Sequence, residues 1–366
     1  MTKTKELTDE RTKGPRDQRT KGPKDQGTKG PRDHERSLIR AYSGSLVLWS
    51  LGLWSLGLGS VGPLLAAEAD RATVIIVAGA PGETEFAPDI AQQLAAWAGV
   101  SAQAGAKHVA IGGEAALGGS SDHDLFQQAL EAEVKEGAGE LWLVLVGHGT
   151  FDGKEAKLNL RGPDVSATEV AAWLKPFKRP VAIIDTTSAS APFLAKLAAP
   201  GRVVVTSTRS GFELNYARFG KFLAEALPDP KSDLDKDGQI SLLEAFLSAS
   251  HRTTEFYKTD GRLATEHALI DDNGDGLGTP SDWFRGVRAT KQARDGAVLD
   301  GPRAHQFHLV RSRAEQQLAA GVRTRRDALE LEIAKLRERK AKMSETAYLR
   351  ELEQRLLEIA ALYDGT

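Results

Sequence analysis

The sequence predicts an α/β fold in which a doubly wound, mainly parallel sheet carries helices on both faces. From Thr73 onward, short apolar runs rich in Val and Ile alternate with stretches of helical periodicity, the pattern of repeated strand–helix–strand units. Two of the runs, 141–146 and 181–184, are apolar throughout and are followed by polar residues. Such strands are typical of parallel sheets buried on both faces, and these folds bind ligands at the carboxyl ends of their strands.

The individual elements follow from this alternation. Each predicted strand contains Val or Ile, which favour extended backbone. The strands are expected at 73–79, 107–112, 140–147, 181–186 and 202–207. Apolar residues recur at helical spacing between them, and right-handed crossovers place the resulting helices on both faces. The helices are expected at 87–97, 121–135, 165–174 and 192–197, with a closing helix at 212–227.

Changes in composition divide the 366 residues into five predicted segments. Residues 1–42 are a low-complexity tail, 43–69 are an apolar run, and 70–228 hold the alternating strands and helices. Residues 229–303 are rich in Asp and Gly, and 304–366 are helical and charged. The folded part is therefore expected to be an α/β domain followed by two smaller regions.

The tail consists largely of three copies of an eight-residue unit, at 11–18, 19–26 and 27–34. The unit is made of Gly, Pro and charged or polar residues, and it lacks the apolar side chains that a core needs. We therefore expect a disordered, solvated tail, and regard an arm for anionic partners as the alternative.

Charge and cysteine content exclude several kinds of site. Lys and Arg number 48 against 50 Asp and Glu, a net charge of −2, so the chain is not a globally basic nucleic-acid-binding protein. The chain has no Cys, so it forms no disulfide and no thiolate metal site.

The apolar run after the tail predicts export. Basic residues precede it, and the small residues Ala67 and Ala69 form an A-x-A cleavage signal before Asp70. A secretory signal peptide at 43–69 would place the folded part in the periplasm or outside the cell. Residues 43–65 are also long enough to span a bilayer, so an uncleaved membrane anchor with the folded part outside the cytoplasm is the alternative.

Polar residues follow the third and the fourth predicted strands. Gly147-His148-Gly149 comes after one strand, and Asp185-Thr186-Thr187-Ser188 comes at the end of the next. A His-Gly followed by an Asp-Thr-x in this order resembles the motifs of the caspase and legumain-like cysteine peptidases. The resemblance covers roughly residues 73–227 and implies a caspase-like sheet.

The resemblance also implies a role for each residue. His148 would be the base or the acid for the leaving group, and the Gly149 N–H would help to form an oxyanion hole. Thr187 stands where the family has its nucleophilic Cys, and Asp185 takes the acidic position before it. A Thr hydroxyl is much harder to ionise than a thiol, so the scaffold of a peptidase site is expected without peptidase activity.

Three functions remain open at this stage. The preferred one is a pseudopeptidase that binds a peptide or protein partner in the former active-site cleft. The second is an active hydrolase that uses Thr187 or Ser188 with His148. The third is a structural envelope protein that assembles through its C-terminal helices.

A separate motif in 229–303 predicts calcium binding. Residues 233–244 match the twelve-residue EF-hand loop, with Gly238 at the turn and Ile240 at the hydrophobic eighth position. Three carboxylates and a bidentate Glu supply the hard oxygen ligands that Ca²⁺ prefers. The predicted ligands are Asp233, Asp235, Asp237, the Gln239 carbonyl, Ser241 and Glu244.

A second, weaker loop follows at 271–282. Its ligand positions would be Asp271, Asn273, Asp275, the Leu277 carbonyl and Asp282. Gly278 and Pro280 interrupt the pattern, so a degenerate calcium loop and an Asx-rich turn are both open. His305 and His308, further along the chain, allow two interpretations: a pair of metal ligands, or two polar side chains on the surface.

Apolar residues at near-heptad spacing predict two helices at the C-terminus. They are Leu329, Ile333, Leu336 and Met343 before a break at Ser344, and Leu349, Leu352, Leu356 and Ile359 after it. This pattern indicates a helical hairpin or coiled coil. Packing on the chain's own domain and homo-oligomer formation are the two interpretations.

Overall fold

A central sheet and two small sheets lie in residues 70–113, 119–294 and 297–363, the part of the chain that the computed structural model describes. The strands are β1 (Thr73–Ala78), β2 (Lys107–Ile111), β3 (Leu141–Val146), β4 (Gly149–Phe151), β5 (Ala156–Leu158), β6 (Val165–Ser166), β7 (Val181–Asp185), β8 (Arg202–Thr206), β9 (Leu269–Asp271), β10 (Thr279–Pro280), β11 (Phe284–Arg285) and β12 (Arg288–Ala289). The predictions for 1–42 and 43–69 fall outside these residues. No helix in the described part combines the length and the apolar character of a membrane span.

The central sheet has seven strands in the order β10–β9–β8–β7–β3–β1–β2. The five strands from β8 to β2 are parallel, and β9 and β10 are added in antiparallel fashion beyond β8. The chain moves outward from β1 to β2 and then crosses back to β3, so the strand order reverses between β1 and β3. This topology confirms the predicted doubly wound, mainly parallel sheet, and it places a switch point between β1 and β3.

Both faces of the sheet are buried, as the uninterrupted apolar strands predict. In β3, Leu143 and Leu145 enter the apolar cluster on one face with Phe126 of the covering helix. Trp142 and Val144 enter the cluster on the other face. All four β3 side chains have no solvent-exposed surface, and burial of each contributes about 1.5–3 kcal/mol.

Helices cover the two faces of the sheet and continue to the C-terminus. They are α1 (Ala87–Gln103), α2 (Asp122–Ala132), α3 (Ala167–Leu174), α4 (Ala191–Leu197), α5 (Phe219–Ala226), α6 (Leu242–Thr259), α7 (Arg313–Gln317), α8 (Ala320–Arg339) and α9 (Glu345–Tyr363). Ser121 caps α2 as expected, since its side chain accepts a hydrogen bond from the Asp124 N–H at 3.1 Å.

The predicted start of the closing helix at Phe212 is wrong. The helix, α5, begins at Phe219, and the residues before it form a loop. Glu266 fixes this start because its carboxylate accepts hydrogen bonds from the Arg218 and Phe219 N–H groups at 2.9–3.0 Å. A carboxylate there stabilises the N-terminus of a helix. Phe219 faces the core with no exposed surface.

The Asp- and Gly-rich segment contributes to the main core. Strand β9 pairs with β8, placing Ile270 opposite Val205, and β10 pairs with β9. Helix α6 packs on α5 and buries Phe246 and Leu242 in the cluster that also holds Trp142. The predicted boundary at residue 228 therefore does not coincide with a break in the sheet.

The C-terminal segment forms the predicted pair of helices. Helix α8 buries Leu329, Ile333 and Leu336, which are 0–5% exposed. A short turn separates it from α9, which starts at Glu345, directly after the predicted break.

Candidate functional site

The carboxyl ends of β1, β3 and β7 lie side by side at the switch point. Ala78 aligns with Val146, and Leu145 aligns with Asp185. The loops after β3 and β7 meet so closely that a Cβ atom on Gly149 would lie 2.3 Å from the Ser188 carbonyl oxygen. Only Gly fits this approach, which explains the residue after His148. We call this region the carboxyl edge.

His148 lies at the carboxyl edge in an aromatic environment. Its ring contacts Phe86 edge-on, with centroids 5.2 Å apart, and Tyr216 with centroids 5.4 Å apart. Phe86 and Tyr216 stack on each other at 4.5 Å. The Nε2 atom of His148 is buried and has no hydrogen-bond partner among the described residues.

Thr187 is fully buried and bonded to an acid instead of to the histidine. Its hydroxyl donates to Asp185 Oδ1 at 2.6 Å, and its backbone N–H donates to the same oxygen at 3.0 Å. The side chain has no exposed surface. In the described part of the chain, no hydrogen bond joins Thr187 to His148.

Asp185 is a buried carboxyl that titrates near neutrality. Burial raises its pKa to about 7, and the hydrogen bonds from Thr187 oppose the increase. Its second oxygen, Oδ2, is buried without a hydrogen-bond partner among the described residues. An ionised Asp would be costly in such a place, so the neutral acid predominates below about pH 7.

The Ser188 side chain hydrogen-bonds both backbone groups of Gly149, the residue after His148. Its Oγ accepts a hydrogen bond from the Gly149 N–H at 3.1 Å and donates to the Gly149 carbonyl at 3.2 Å. The side chain is 1% exposed. The N–H that the resemblance assigns to an oxyanion hole is therefore already bonded within the protein.

A hydroxyl network behind these residues was not predicted. Ser190 lies 3.1–3.2 Å from the hydroxyls of Ser207 and Thr208, and Ser207 donates to the Thr187 carbonyl at 2.6 Å. All these side chains are fully buried. The signal in the sequence is Thr206-Ser-Thr at the end of the fifth predicted strand, where polar residues again follow an apolar run.

Apolar side chains are exposed on the loop beside the carboxyl edge. Phe212 is 72% exposed and Leu214 is 58% exposed. Phe151 on β4 contacts the Phe212 ring edge-on at 5.4 Å. Glu213 holds the loop in place, because its carbonyl accepts from the Ala189 N–H at 2.8 Å and its carboxylate lies 2.6 Å from His267 Nδ1.

The loop at 233–244, the predicted first calcium loop, brings three carboxylates together. Ligand oxygens of Asp233, Asp235 and Asp237 all lie within 4.8 Å of one another. Asp233 accepts from the Gly238 N–H at 3.2 Å, and Gly238 has the positive φ of 85° that the turn requires. This hard oxygen set fits Ca²⁺.

Glu244 and Ser241 complete the loop at the start of α6. Glu244 is fully buried, and its carboxylate accepts from the Leu234 N–H at 2.7 Å and the Ser241 N–H at 2.9 Å. Burial and the charges of Glu244 and Asp237 raise the pKa of Asp235, while His305 opposes the increase. The loop therefore holds like charges at close range.

The C-terminal segment contacts this loop. His305 Nε2 lies 3.1 Å from Asp235 Oδ2, and the Ser312 N–H donates to the Gln239 side-chain oxygen at 3.0 Å. His308 is also near, and its buried Nε2 has no hydrogen-bond partner among the described residues. A cavity of about 910 Å³ lies between the loop, residues 299–318, α8 and α9.

The second loop uses its side chains to bind its own backbone. Asp271 accepts from the Gly274 N–H at 2.7 Å and the Gly276 N–H at 2.6 Å, and Asn273 accepts from the Asp275 N–H at 2.8 Å. Asp275 in turn accepts from the Leu277 N–H at 2.8 Å. Asp282, at the twelfth position, is exposed on a short helical turn. Within the described residues, only the first loop groups three carboxylates at ligand distance.

Two buried acids, one within the second loop and one outside it, were missed by sequence reasoning. Asp300 accepts from the Asp272 N–H at 3.0 Å and from the Thr279 hydroxyl at 2.6 Å. Asp272 accepts from the Ala304 N–H at 2.7 Å. Burial and the Asp272 charge raise the pKa of Asp300 to about 7, and burial raises that of Asp271 to about 6. No motif contains Asp300, which lies far from the loop in sequence.

Two insect caspases are among the solved structures to which this chain is similar. Caspase-1 from Spodoptera frugiperda is 10% identical over 56% of this chain and 87% of its own, with a TM-score of 0.36. The Drosophila initiator caspase Dronc is 10% identical over 57% of this chain and 82% of its own, with a TM-score of 0.36. No family model and no curated protein matches the sequence. The resemblance to caspases depends on the two strand-end motifs.

Proposed function

We propose that this protein is a calcium-binding, caspase-like pseudopeptidase, exported or anchored outside the cytoplasm, that binds a peptide segment at the carboxyl edge without cleaving it. The observation that carries the proposal is the state of Thr187. Its hydroxyl is fully buried and donates to Asp185, whereas His148 faces Phe86 and Tyr216.

Covalent catalysis requires a nucleophile within hydrogen-bond reach of its base and open to the substrate. Thr187 meets neither requirement in this arrangement. Ser188, the other candidate, is 1% exposed and is bonded to both backbone groups of Gly149. The same contact removes the Gly149 N–H as an oxyanion donor, which is the contribution that typically lowers the barrier most.

Binding is supported by the surface next to this closed centre. Phe212 and Leu214 are large apolar side chains that expose more than half of their surface on a loop fixed by Glu213. Contiguous exposed apolar groups mark interaction sites. An extended peptide with an apolar side chain would cover both residues and pass close to His148.

The proposed calcium site is separate from the carboxyl edge. The first loop connects α5 to α6, and α6 packs in the main core. Asp233, Asp235, Asp237, the Gln239 carbonyl, Ser241 and Glu244 would hold the ion. Bound Ca²⁺ would neutralise the crowded carboxylates and stabilise the connection between these helices.

The test is turnover of a mixed pool of labelled peptide amides by the full chain and by the chain from Asp70, with and without Ca²⁺. His148→Ala is measured beside the native protein, and binding of the same pool is measured by fluorescence anisotropy. The proposal expects binding without turnover in both proteins. Turnover that disappears in His148→Ala would assign the edge to a hydrolase and contradict the proposal.

A further inference from the structure

The second loop has the same backbone geometry as the first loop. In the first loop the fourth and sixth positions have positive φ, 66° at Lys236 and 85° at Gly238. In the second loop the same positions have φ of 80° at Gly274 and 75° at Gly276. In both loops the acid at the first position accepts hydrogen bonds from these two N–H groups, at 2.6–3.2 Å. The side chain at the third position accepts from the fifth N–H, and the side chain at the fifth position accepts from the seventh.

Asp300 has the hydrogen-bond partners in the second loop that Glu244 has in the first. Glu244, the twelfth residue, accepts from the N–H groups of the second and third positions at 2.7 and 3.3 Å. Asp300 accepts from the N–H groups of the same two positions in the second loop, at 3.0 and 3.2 Å. The ninth position matches as well, because Ser241 donates to Glu244 at 2.8 Å and Thr279 donates to Asp300 at 2.6 Å. One carboxylate therefore closes each loop through the same contacts.

The path of the chain explains why the twelfth residue of the second loop does not fill this place. After its ninth residue the first loop enters α6, which carries Glu244 in its first turn. The second loop instead continues as β10, which pairs with β9. The chain then leaves the loop, and Asp282 is exposed on the short helical turn that follows. The closing carboxylate therefore comes from another segment.

The acids of the second loop are buried without a counter-charge. Asp271, Asp272 and Asp300 are 1%, 5% and 2% exposed. In the part of the chain that the structure describes, no basic side chain forms an ion pair with these three acids or with Asp275. Asp275 Oδ2 is also buried and has no hydrogen-bond partner among the described residues. Buried carboxylates in proteins are paired with a base or coordinate a metal, so this arrangement indicates a cation.

Three of these carboxylates lie close together. Burial raises the pKa of Asp271, and the charges of Asp300 and Asp275 raise it further. The first loop has a group of three acids at ligand distance, and Glu244 is outside that group. The second loop has an amide, Asn273, at the third position, so it lacks one acid of the corresponding group.

We propose that the second loop is a calcium site in which Asp300 replaces the twelfth residue of the motif. The ligands would be Asp271, Asn273, Asp275, the Leu277 carbonyl and Asp300. The inference rests on the calcium site proposed for the first loop, whose geometry is its reference. An ion here would join the end of β9 to the segment that leads to the C-terminal helices.

The second site should bind calcium more weakly than the first. It offers three carboxylates, whereas the first loop offers four, and calcium affinity depends on the charge of the ligand set. The second site should therefore fill only at higher calcium concentrations. Melting at concentrations that saturate the first loop alone reports the first loop alone.

The test is equilibrium dialysis of the full chain against radioactive calcium, which counts the ions bound to each chain. The native chain should bind two ions. Asp300→Asn should keep one, because loss of this charge should raise the dissociation constant of the second site at least about tenfold. Glu244→Gln should keep the other ion, and the double variant should bind none. Asp282→Asn is the matched control, because it makes the same change at the twelfth position and should still bind two ions.

Asp275→Asn is the second variant of the test, because Asp300 is buried and its replacement can prevent folding. Asp275 is only partly buried, and Asp275→Asn should lose the same ion. Thermal melting without calcium shows which variants fold. A native chain with a single ion that Glu244→Gln loses would overturn this proposal and support the first loop. A single ion that Glu244→Gln keeps and Asp300→Asn loses would support the second site and contradict the first.

Two further outcomes would also overturn the proposal. Loss of an ion in Asp282→Asn would mean that the twelfth residue, and not Asp300, closes the second loop. A native chain that binds no ion would overturn both calcium sites, and protons would then be what neutralises the buried acids.

Discussion

The carboxyl edge and the first calcium loop use similar side chains in opposite ways. At the edge, Asp185 is alone among neutral groups, and burial raises its pKa to about 7. Each hydroxyl around it has a partner within the protein. In the loop, three carboxylates lie within 4.8 Å of one another, and the Lys236 ammonium bonds the Asp233 backbone carbonyl.

The difference shows how the same residue types can form either a site whose polar groups bond within the protein or a site that can take up a cation. Below about pH 7 the neutral Asp185 carries no charge for a cation to neutralise. Crowded carboxylates repel one another, and a cation that enters removes that cost. Whether such a site takes up a cation depends on the balance of its charges more than on the presence of Asp or Ser.

The largest expected effect is the pH dependence of stability that comes from the neutral form of Asp185. Because its folded pKa is above the ordinary value, the stability it gives is present at low pH and is lost as pH rises through about 7. The difference from the ordinary 3.8 corresponds to roughly 4 kcal/mol. Asp185→Asn should remove this loss, so its advantage over the native chain should grow between about pH 4 and 7 in urea unfolding and stay constant above that range.

Asp260→Asn is the matched control for that measurement. Asp260 is exposed at the end of α6, and its replacement should leave the pH profile of stability as in the native chain. An Asp185→Asn profile parallel to the native one would mean that Asp185 is ionised in the folded protein.

Calcium should give the next largest effect. Ca²⁺ at about 100 times its dissociation constant stabilises a single-site protein by about 2.7 kcal/mol, which thermal melting detects. Glu244→Gln should abolish the calcium-dependent increase in melting temperature, because it removes the charge at the twelfth position. Asp282→Asn changes the twelfth position of the second loop and should preserve the increase. Equal losses in both variants would contradict the assignment to the first loop.

A smaller effect is expected at the exposed apolar loop. Phe212→Ser should weaken binding of the peptide pool about tenfold, or roughly 1.4 kcal/mol, by removing apolar contact area. Leu263→Ser changes an apolar residue that is 90% exposed and lies on another loop, and this variant should bind normally. Anisotropy titration of the two variants compares them directly, and equal affinities would place the peptide elsewhere.

For the last substitution we expect no change in peptidase activity. Thr187→Cys restores the residue type of the peptidase family, yet the full chain should remain inactive on the peptide pool. The thiol would still be buried beside Asp185, and Ser188 would still occupy the Gly149 N–H. Release of product by this variant would show that only the nucleophile separates the edge from an active site.

The sheet could be predicted because its strands carry a strong local signal. Residues 141–146 are buried on both faces, which leaves an unbroken apolar run in the sequence. The meeting of His148 and Thr187 at one edge follows from the parallel order of β3 and β7. Strands β9 and β10 have three and two residues, too few to show a period.

The hydrogen bonds of the edge could not be predicted in the same way. The contact between Ser188 and Gly149 joins residues 39 apart in sequence, and it depends on the path of two loops. Ala189 takes a positive φ of 54°, which residue preferences do not indicate for Ala. The motifs gave no information about which groups these residues bond.

The pairing of β9 with β8 limits how the chain can be shortened. A protein that ended near residue 228 would lose β9, β10 and α6 together, and β8 would become the outer strand of the sheet. Its sequence Arg-Val-Val-Val-Thr would then present free backbone groups on a strongly β-forming edge, which is a template for aggregation. The calcium-loop segment therefore also acts as an edge protector, and expression trials of the isolated α/β part should yield insoluble protein.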